Sequence, residues 1–228
     1  MKILSAVLGI MFLAAIGHAG ESDVLKTEQD KVSYSLGMDI GNNLKRQSIE
    51  IDPEILARGL KDAFSGGKLL MSEEEYRNTM ANFRKEMMAK QQAQMKTKGE
   101  KNMKEGDAFL AENKDKKGVV SLPSGLQYKV IKEGEGDTPK ATDKVTVHYR
   151  GTLIDGTEFD SSYGRGEPAT FPVNGVIPGW TEALQLMNAG SKWQLFIPSN
   201  LAYGERGAGG KIGPNSTLIF DVELLSIQ

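Results

Sequence analysis

The chain has 228 residues and carries 28 Lys and Arg against 30 Asp and Glu, a formal net charge of -2. That length suits two ordinary domains, and so small a charge gives no field for a polyanion, so nucleic acid is excluded as a partner. Cysteine is absent and histidine occurs twice, which excludes a thiol nucleophile, a lipidated N-terminal cysteine and a Cys-built zinc site.

In chain order, Lys2 precedes the apolar run Ile3 to Ile16, and Gly17-His18-Ala19 follows. A positive start, a short apolar core and small residues before a cut are the features of a secretory signal. Residues 1–19 are therefore expected to be removed after Ala19. The run is shorter than the ~20 residues that cross a bilayer, so no stable membrane anchor is expected. Removal leaves His148 as the only histidine, so neither a metal nor a cofactor is expected. The mature protein is placed in the periplasm or on the outer surface.

Residues 20–113 hold one proline, Pro53, whereas residues 118–228 hold seven of the eight. That shift divides a helical half from a strand-rich half. The expected parts are a helical module at 20–71, one long helix at 72–113 and a β-rich domain at 114–228. Helix one should run from about Glu28 to Gln47, with Val32, Leu36, Ile40 and Leu44 on one stripe. Ser33, Gly37 and Gly41 beside that stripe fit either a close helix–helix interface or ordinary internal packing. Helix two should start at Asp52-Pro53, bury Leu56, Leu60, Ala63 and Phe64, and end at Gly66-Gly67.

Helix three should begin at Ser72, with Glu75 completing a capping box, and continue to about Asn113. At ~1.5 Å per residue it would extend about 60 Å. Tyr76, Met80, Phe83 and Met87 should pack. From Lys90 to Gly106 the residues are almost all polar, which predicts a solvated rod with candidate bends at Gly99 and Gly106. So little apolar surface calls for a homodimer through the N-terminal helices.

After the charged segment Lys114 to Gly118, strands are expected near Gly125–Lys132, Lys144–Leu153, Ala169–Val173, Ser191–Pro198 and Thr217–Ile227. Val145, Val147 and Tyr149 share one face of the second, and Leu218, Phe220, Val222 and Leu224 one face of the last. Asp155-Gly156 marks a hairpin turn, and a short helix fits Gly179–Met187. The fold class is α+β, with an antiparallel sheet curled around one helix.

No Ser-His-Asp set has a basis, because His148 sits opposite the apolar face of its strand. Gly207-Ala208-Gly209-Gly210 lacks the Lys-Ser/Thr of a phosphate loop. Glu158 and Asp160 are only weakly specific as a carboxylate pair. Tyr149, Phe159, Val176, Ile177, Trp180, Tyr203, Ile212 and Phe220, with Asp160 and Arg165 near them, read on residue type alone first as core.

The ordered motifs Val147-His148-Tyr149-Arg150-Gly151, Asp155-Gly156-Thr157-Glu158-Phe159-Asp160, Val176-Ile177-Pro178-Gly179-Trp180, Ala202-Tyr203-Gly204 and Thr217 to Leu224 resemble FK506-binding-protein-type (FKBP) prolyl isomerases. Asp30 to Gly37 and Lys116 to Tyr128 resemble the macrophage infectivity potentiator (Mip) branch. The resemblance implies a peptidyl-prolyl cis-trans isomerase domain at 114–228. It also implies a V-shaped homodimer through the helical module, with the long helix joining the two. Trp180 would floor the pocket, and Tyr149, Phe159, Val176, Ile177 and Phe220 would wall it, with Ile212 alongside. The Ile177 N–H and the Tyr203 hydroxyl would bond peptide carbonyls, and Asp160 would be tied to Tyr149 and Arg165. The implied catalytic residues are Asp160, Tyr203 and Tyr149. Proline-containing polypeptide clients and macrolide inhibitors of the FK506/rapamycin type are the implied partners. The sequence departs from the family pattern at Ala169, where many members carry an aromatic wall, and at Lys211, in a loop that lacks the common histidine. A second reading is a holding chaperone whose helices capture clients with little dependence on turnover.

Overall fold

The computed structural model describes residues 25–228, and the expected signal at residues 1–19 lies outside them. Three helices come first: α1 (Glu28–Arg46), α2 (Pro53–Ser65) and α3 (Glu73–Asn113). Each starts where a side chain caps free backbone N–H groups. Thr27 and Asp30 form a reciprocal box at α1, and Asp52 accepts from the N–H groups of Glu54 and Ile55 ahead of Pro53 at α2. At α3 the Glu75 N–H donates to the Ser72 Oγ at 3.2 Å while the Glu75 carboxylate accepts from the Ser72 N–H at 2.7 Å.

The chain separates into two compact units, one ending at Glu75 and the other beginning at Tyr76. In the first unit no residue of α1 or α2 is buried. The expected buried face of α2 is instead open, with Leu56, Leu60 and Phe64 exposed, Phe64 at 92%. Two helices offer each other too little surface to cover a full apolar stripe. On α1, Val32, Leu36 and Ile40 are exposed in the same way.

The second unit contains nearly all of α3 and the sheet. Tyr76 is exposed, whereas Met80, Phe83 and Met87 are partly covered. The expectation of a solvated rod bending at glycines does not hold beyond Lys98. The helix continues without a break through Gly99 and Gly106, and both are buried. At Gly99 the missing side chain admits Pro214, and at Gly106 it admits Thr217, so the glycines serve close packing. Farther along, Phe109 packs on Phe196 with ring centroids 5.9 Å apart. Buried Asn113 donates to the Gln127 Oε1 at 3.0 Å, and the Gln127 amide donates back to the Leu110 carbonyl.

The strands are β1 (Val119–Ser121), β2 (Gln127–Lys132), β3 (Lys144–Leu153), β4 (Glu158–Ser161), β5 (Ala169–Pro172), β6 (Lys192–Ile197) and β7 (Leu218–Ile227). They form one antiparallel sheet in the order β1-β2-β6-β7-β3-β4, with β5 also paired to β3. β3 pairs with β5 along its first half and β4 along its second, so the sheet forks there. The inner-face residues Val145, Val147, Leu218, Val222 and Leu224 are fully buried, and Tyr149 and Phe220 nearly so. They cover α4 (Pro178–Leu184), whose Trp180, Ala183 and Leu184 enter the same core. The Asp155-Gly156 turn closes β3 onto β4 with Gly156 at φ 86°.

A Gly106→Val substitution should push α3 away from Thr217 and cost about 1–3 kcal/mol, as overpacking does. Urea unfolding followed by circular dichroism would register it as a lowered midpoint with an unchanged slope.

Candidate active site

The inner face of the sheet stops short of closing over Trp180 and leaves a hollow of about 650 Å³. Trp180 projects from the first turn of α4 and is 4% exposed. Three rings meet the indole edge to face: Phe220 at 5.2 Å and 80°, Tyr149 at 5.3 Å and 87°, and Phe171 at 6.0 Å and 88°. Phe159 in turn meets Phe220 at 5.4 Å and 82°. These are the favoured approach geometries of aromatic rings, and each holds its neighbour's rotamer. The β3 register sets Gly151 opposite Phe220. A Cβ at Gly151 would collide with the rings of both Phe159 and Phe220, so glycine is required there.

Val176 and Ile177 wall the hollow beside α4, and Ala208, Gly209, Lys211 and Ile212 wall it from the 207–217 loop. Tyr203 stands at the rim, 40% exposed, and its hydroxyl makes no hydrogen bond among the described residues. The Ile177 N–H likewise has no acceptor among them, because Ile177 sits at the N-cap of α4. Two free donors therefore flank an apolar hollow.

The opposite rim carries the polar groups. The Tyr149 hydroxyl donates to the Asp160 Oδ2 at 2.6 Å and accepts from the Arg165 Nη2 at 2.8 Å, while the Arg165 Nη1 donates to the Asp160 Oδ1 at 2.6 Å. The Arg165 guanidinium also lies 5.4 Å from the centroid of the Tyr149 ring. The Tyr149 hydrogen is thus committed to Asp160 and unavailable to a ligand. Burial alone would raise the Asp160 carboxyl, but the hydrogen bonds from Tyr149 and Arg165 and the Arg165 charge outweigh it and hold the group below its ordinary value. Burial first, and the bond to Asp160 second, push the Tyr149 phenol above its ordinary value. Glu158 is occupied elsewhere, in a 2.7 Å ion pair with Arg150, so it forms no carboxylate pair with Asp160. His148 lies outside the hollow, bonded to the Ser162 Oγ and stacked on Tyr163.

The family model for FKBP-type peptidyl-prolyl cis-trans isomerase matches residues 135–225, and the model for the domain amino terminal to it matches residues 29–130. The outer membrane protein MIP of Legionella longbeachae is 51% identical over 228 residues, covering 100% of this chain and 98% of its own. This chain belongs to the FKBP-type peptidyl-prolyl cis-trans isomerases. Similar too is the peptidyl-prolyl cis-trans isomerase Mip of Coxiella burnetii, 48% identical over 96% of this chain and 94% of its own. The crystal structure of FkpA from Escherichia coli superposes with a TM-score of 0.72 at 42% identity, covering 89% of this chain and 98% of that one.

Every site residue expected in the isomerase lines the hollow except Arg165, which stands behind Asp160 and Tyr149. Phe171 went unnoticed in the sequence and is one of the three rings on Trp180. Its signal was present, because alternation along β5 sets it on the same face as Ala169, which packs on the core. Lys211 lines the hollow as well and donates to the Glu158 carbonyl at 3.3 Å. Only the loop's folding back toward β4 could reveal that.

The lowered Asp160 value gives a pH signature in the isomerase. A carboxyl with a depressed folded pKa contributes stability above its unfolded value of ~3.9, lost as pH falls through the lower folded value. The urea midpoint of the parent should exceed that of Asp160→Asn by a constant margin from about pH 5 to 8 and converge with it below about pH 4. Midpoints measured across that range check the sign.

Proposed function

We propose that the hollow takes the prolyl ring of an X-Pro segment in an exported polypeptide and speeds its cis-trans isomerisation by drying and orienting the amide. The observation that carries this reading is an open, ring-lined hollow flanked by two unengaged donors. Peptide rotation faces a barrier of ~18–20 kcal/mol because the C–N bond has partial double-bond character. The conjugated amide is charge-separated and favoured by water, whereas the twisted form is less polar. A dry aromatic hollow therefore favours the twisted form over the planar one. The Ile177 N–H and the Tyr203 hydroxyl hold carbonyls on either side of the ring. Asp160, fixed by Tyr149 and Arg165, gives the hollow one polar wall against which the amide orients. Removing ~5.5 kcal/mol from the barrier corresponds to about 10⁴-fold acceleration. Macrolides of the FK506/rapamycin type would compete for the same rings.

The open faces of α1 and α2 support a homodimer in which a second copy covers Leu36, Ile40, Leu56, Leu60 and Phe64. Action outside the cytoplasm, in the periplasm or at the outer surface, is supported by the signal-like residues 1–19 and by the name of the Legionella relative. As the alternative to self-association, the same faces favour capture of unfolded clients by the helical half.

With a protease-coupled proline peptide as substrate, Tyr203→Phe should lower kcat/KM by about 2- to 10-fold, the worth of one hydrogen bond. Asp160→Leu should lower it further while circular dichroism stays unchanged. Equal turnover of parent and variants would remove these assignments. Deleting residues 20–71 should give monomers in sedimentation while proline-peptide turnover persists, and an unchanged dimer would reject the interface.

A further inference from the structure

We propose that α3 is part of the active-site architecture: through Asn102 it positions the 207–217 loop and, with it, the Ile212 wall of the proline hollow. The inference rests on the isomerase reading and names a positioning residue for it.

The loop has two sides. Its first part, Ala208, Gly209, Lys211 and Ile212, faces the hollow. The part just after it lies against α3. The Asn102 amide donates to the Pro214 carbonyl at 2.7 Å and contacts the Ser216 Oγ at 3.3 Å. The Asn215 amide reaches the Gly99 carbonyl at 3.5 Å. Gly99 and Gly106 bring the helix close enough for these bonds by admitting Pro214 and Thr217. One residue, Gly213, separates Ile212 in the wall from Pro214 on the helix.

Left to itself the loop has little to hold it. Gly204, Gly207, Gly209 and Gly210 all have positive φ, and such residues carry the largest backbone entropy. Internal ties are few: a two-bond bridge between Ala208 and Ile212, bonds from the Asn215 and Gly207 N–H groups to the Gly204 carbonyl, the latter at 3.4 Å, and one from Ser216 to Gly213. Yet Ile212 is buried against the core and must stand at a fixed distance from Trp180 for a prolyl ring to fit. Asn102 supplies a rigid external anchor, since a helix is stiffer than a loop and a side chain on it is better placed. The chain region linking the two halves of the molecule is thereby also a wall support.

The test is made on the full mature chain with a series of Ala-Xaa-Pro-Phe peptide anilides that vary the residue before proline. Asn102→Ala removes the anchor. Asn113→Ala loosens the same helix at its far end, at Gln127, without touching the loop. Both should lower the urea midpoint. Only Asn102→Ala should lower kcat/KM, by at least about threefold through a displaced wall, and change the ranking of the peptides. Asn102→Asp, which faces the Pro214 carbonyl with a carboxylate, should be impaired at least as much. Where Asn102→Ala fails to fold, Gly99→Ala, whose Cβ would press on Pro214 and Asn215 at 3.1 and 3.2 Å, is read in the same way. An active parent with unchanged kcat/KM and ranking in these variants overturns the inference alone, as does an equal loss in Asn113→Ala. A parent without turnover on any peptide overturns the isomerase reading and the inference with it.

Discussion

The edge-to-face packing of Phe220, Tyr149 and Phe171 around the Trp180 indole is the contact on which the site depends. Rings at right angles cannot collapse onto one another as stacked rings can. Each edge fixes the next side chain, and the hollow opens above an indole that is itself only 4% exposed. The result is apolar surface that is buried on three sides and still reachable from the fourth.

Asp160 and Arg165 stand at the rim and are paired there, while the Tyr203 hydroxyl and the Ile177 N–H are left open. Tyr149 contributes its ring to the floor and its hydroxyl to Asp160, so one side chain joins the aromatic cluster to the Arg165 ion pair. Asp160 and Arg165 are each about half exposed, so their pairing adds little stability by itself. Its value lies in orientation. A carboxylate with both oxygens engaged keeps one position, and a charge that is already paired does not draw water into the hollow.

The helical half and the sheet half meet different physical demands. α1 and α2 form well-capped helices whose apolar faces remain open, a state that calls for another surface. α3 has the opposite character. Its C-terminal half is polar by composition, yet it docks firmly through two glycines, two asparagines and one phenylalanine. Small residues and directed hydrogen bonds replace an apolar stripe, and this kind of interface leaves no trace in a hydrophobic periodicity.

Helix starts near Glu28, at Asp52 and at Ser72, the alternation of β3 and β7 and the Asp155-Gly156 turn were legible because each depends on residues a few positions apart. The family motifs located the rings for the same reason, since every motif is local. Tertiary structure alone decided the rest. β4 was missed because four residues are too few to show alternation, and its pairing with β3 carries a register shift. Burial of Gly99 and Gly106 was invisible because their neighbours lie more than a hundred residues away, in the 207–217 loop. The sequence by itself determined the helices, the longer strands and, through its motifs, every ring of the site except Phe171. Which of those rings stay uncovered, and which helix supports them, was decided by contacts between distant parts of the chain, which no local pattern of residue types encodes.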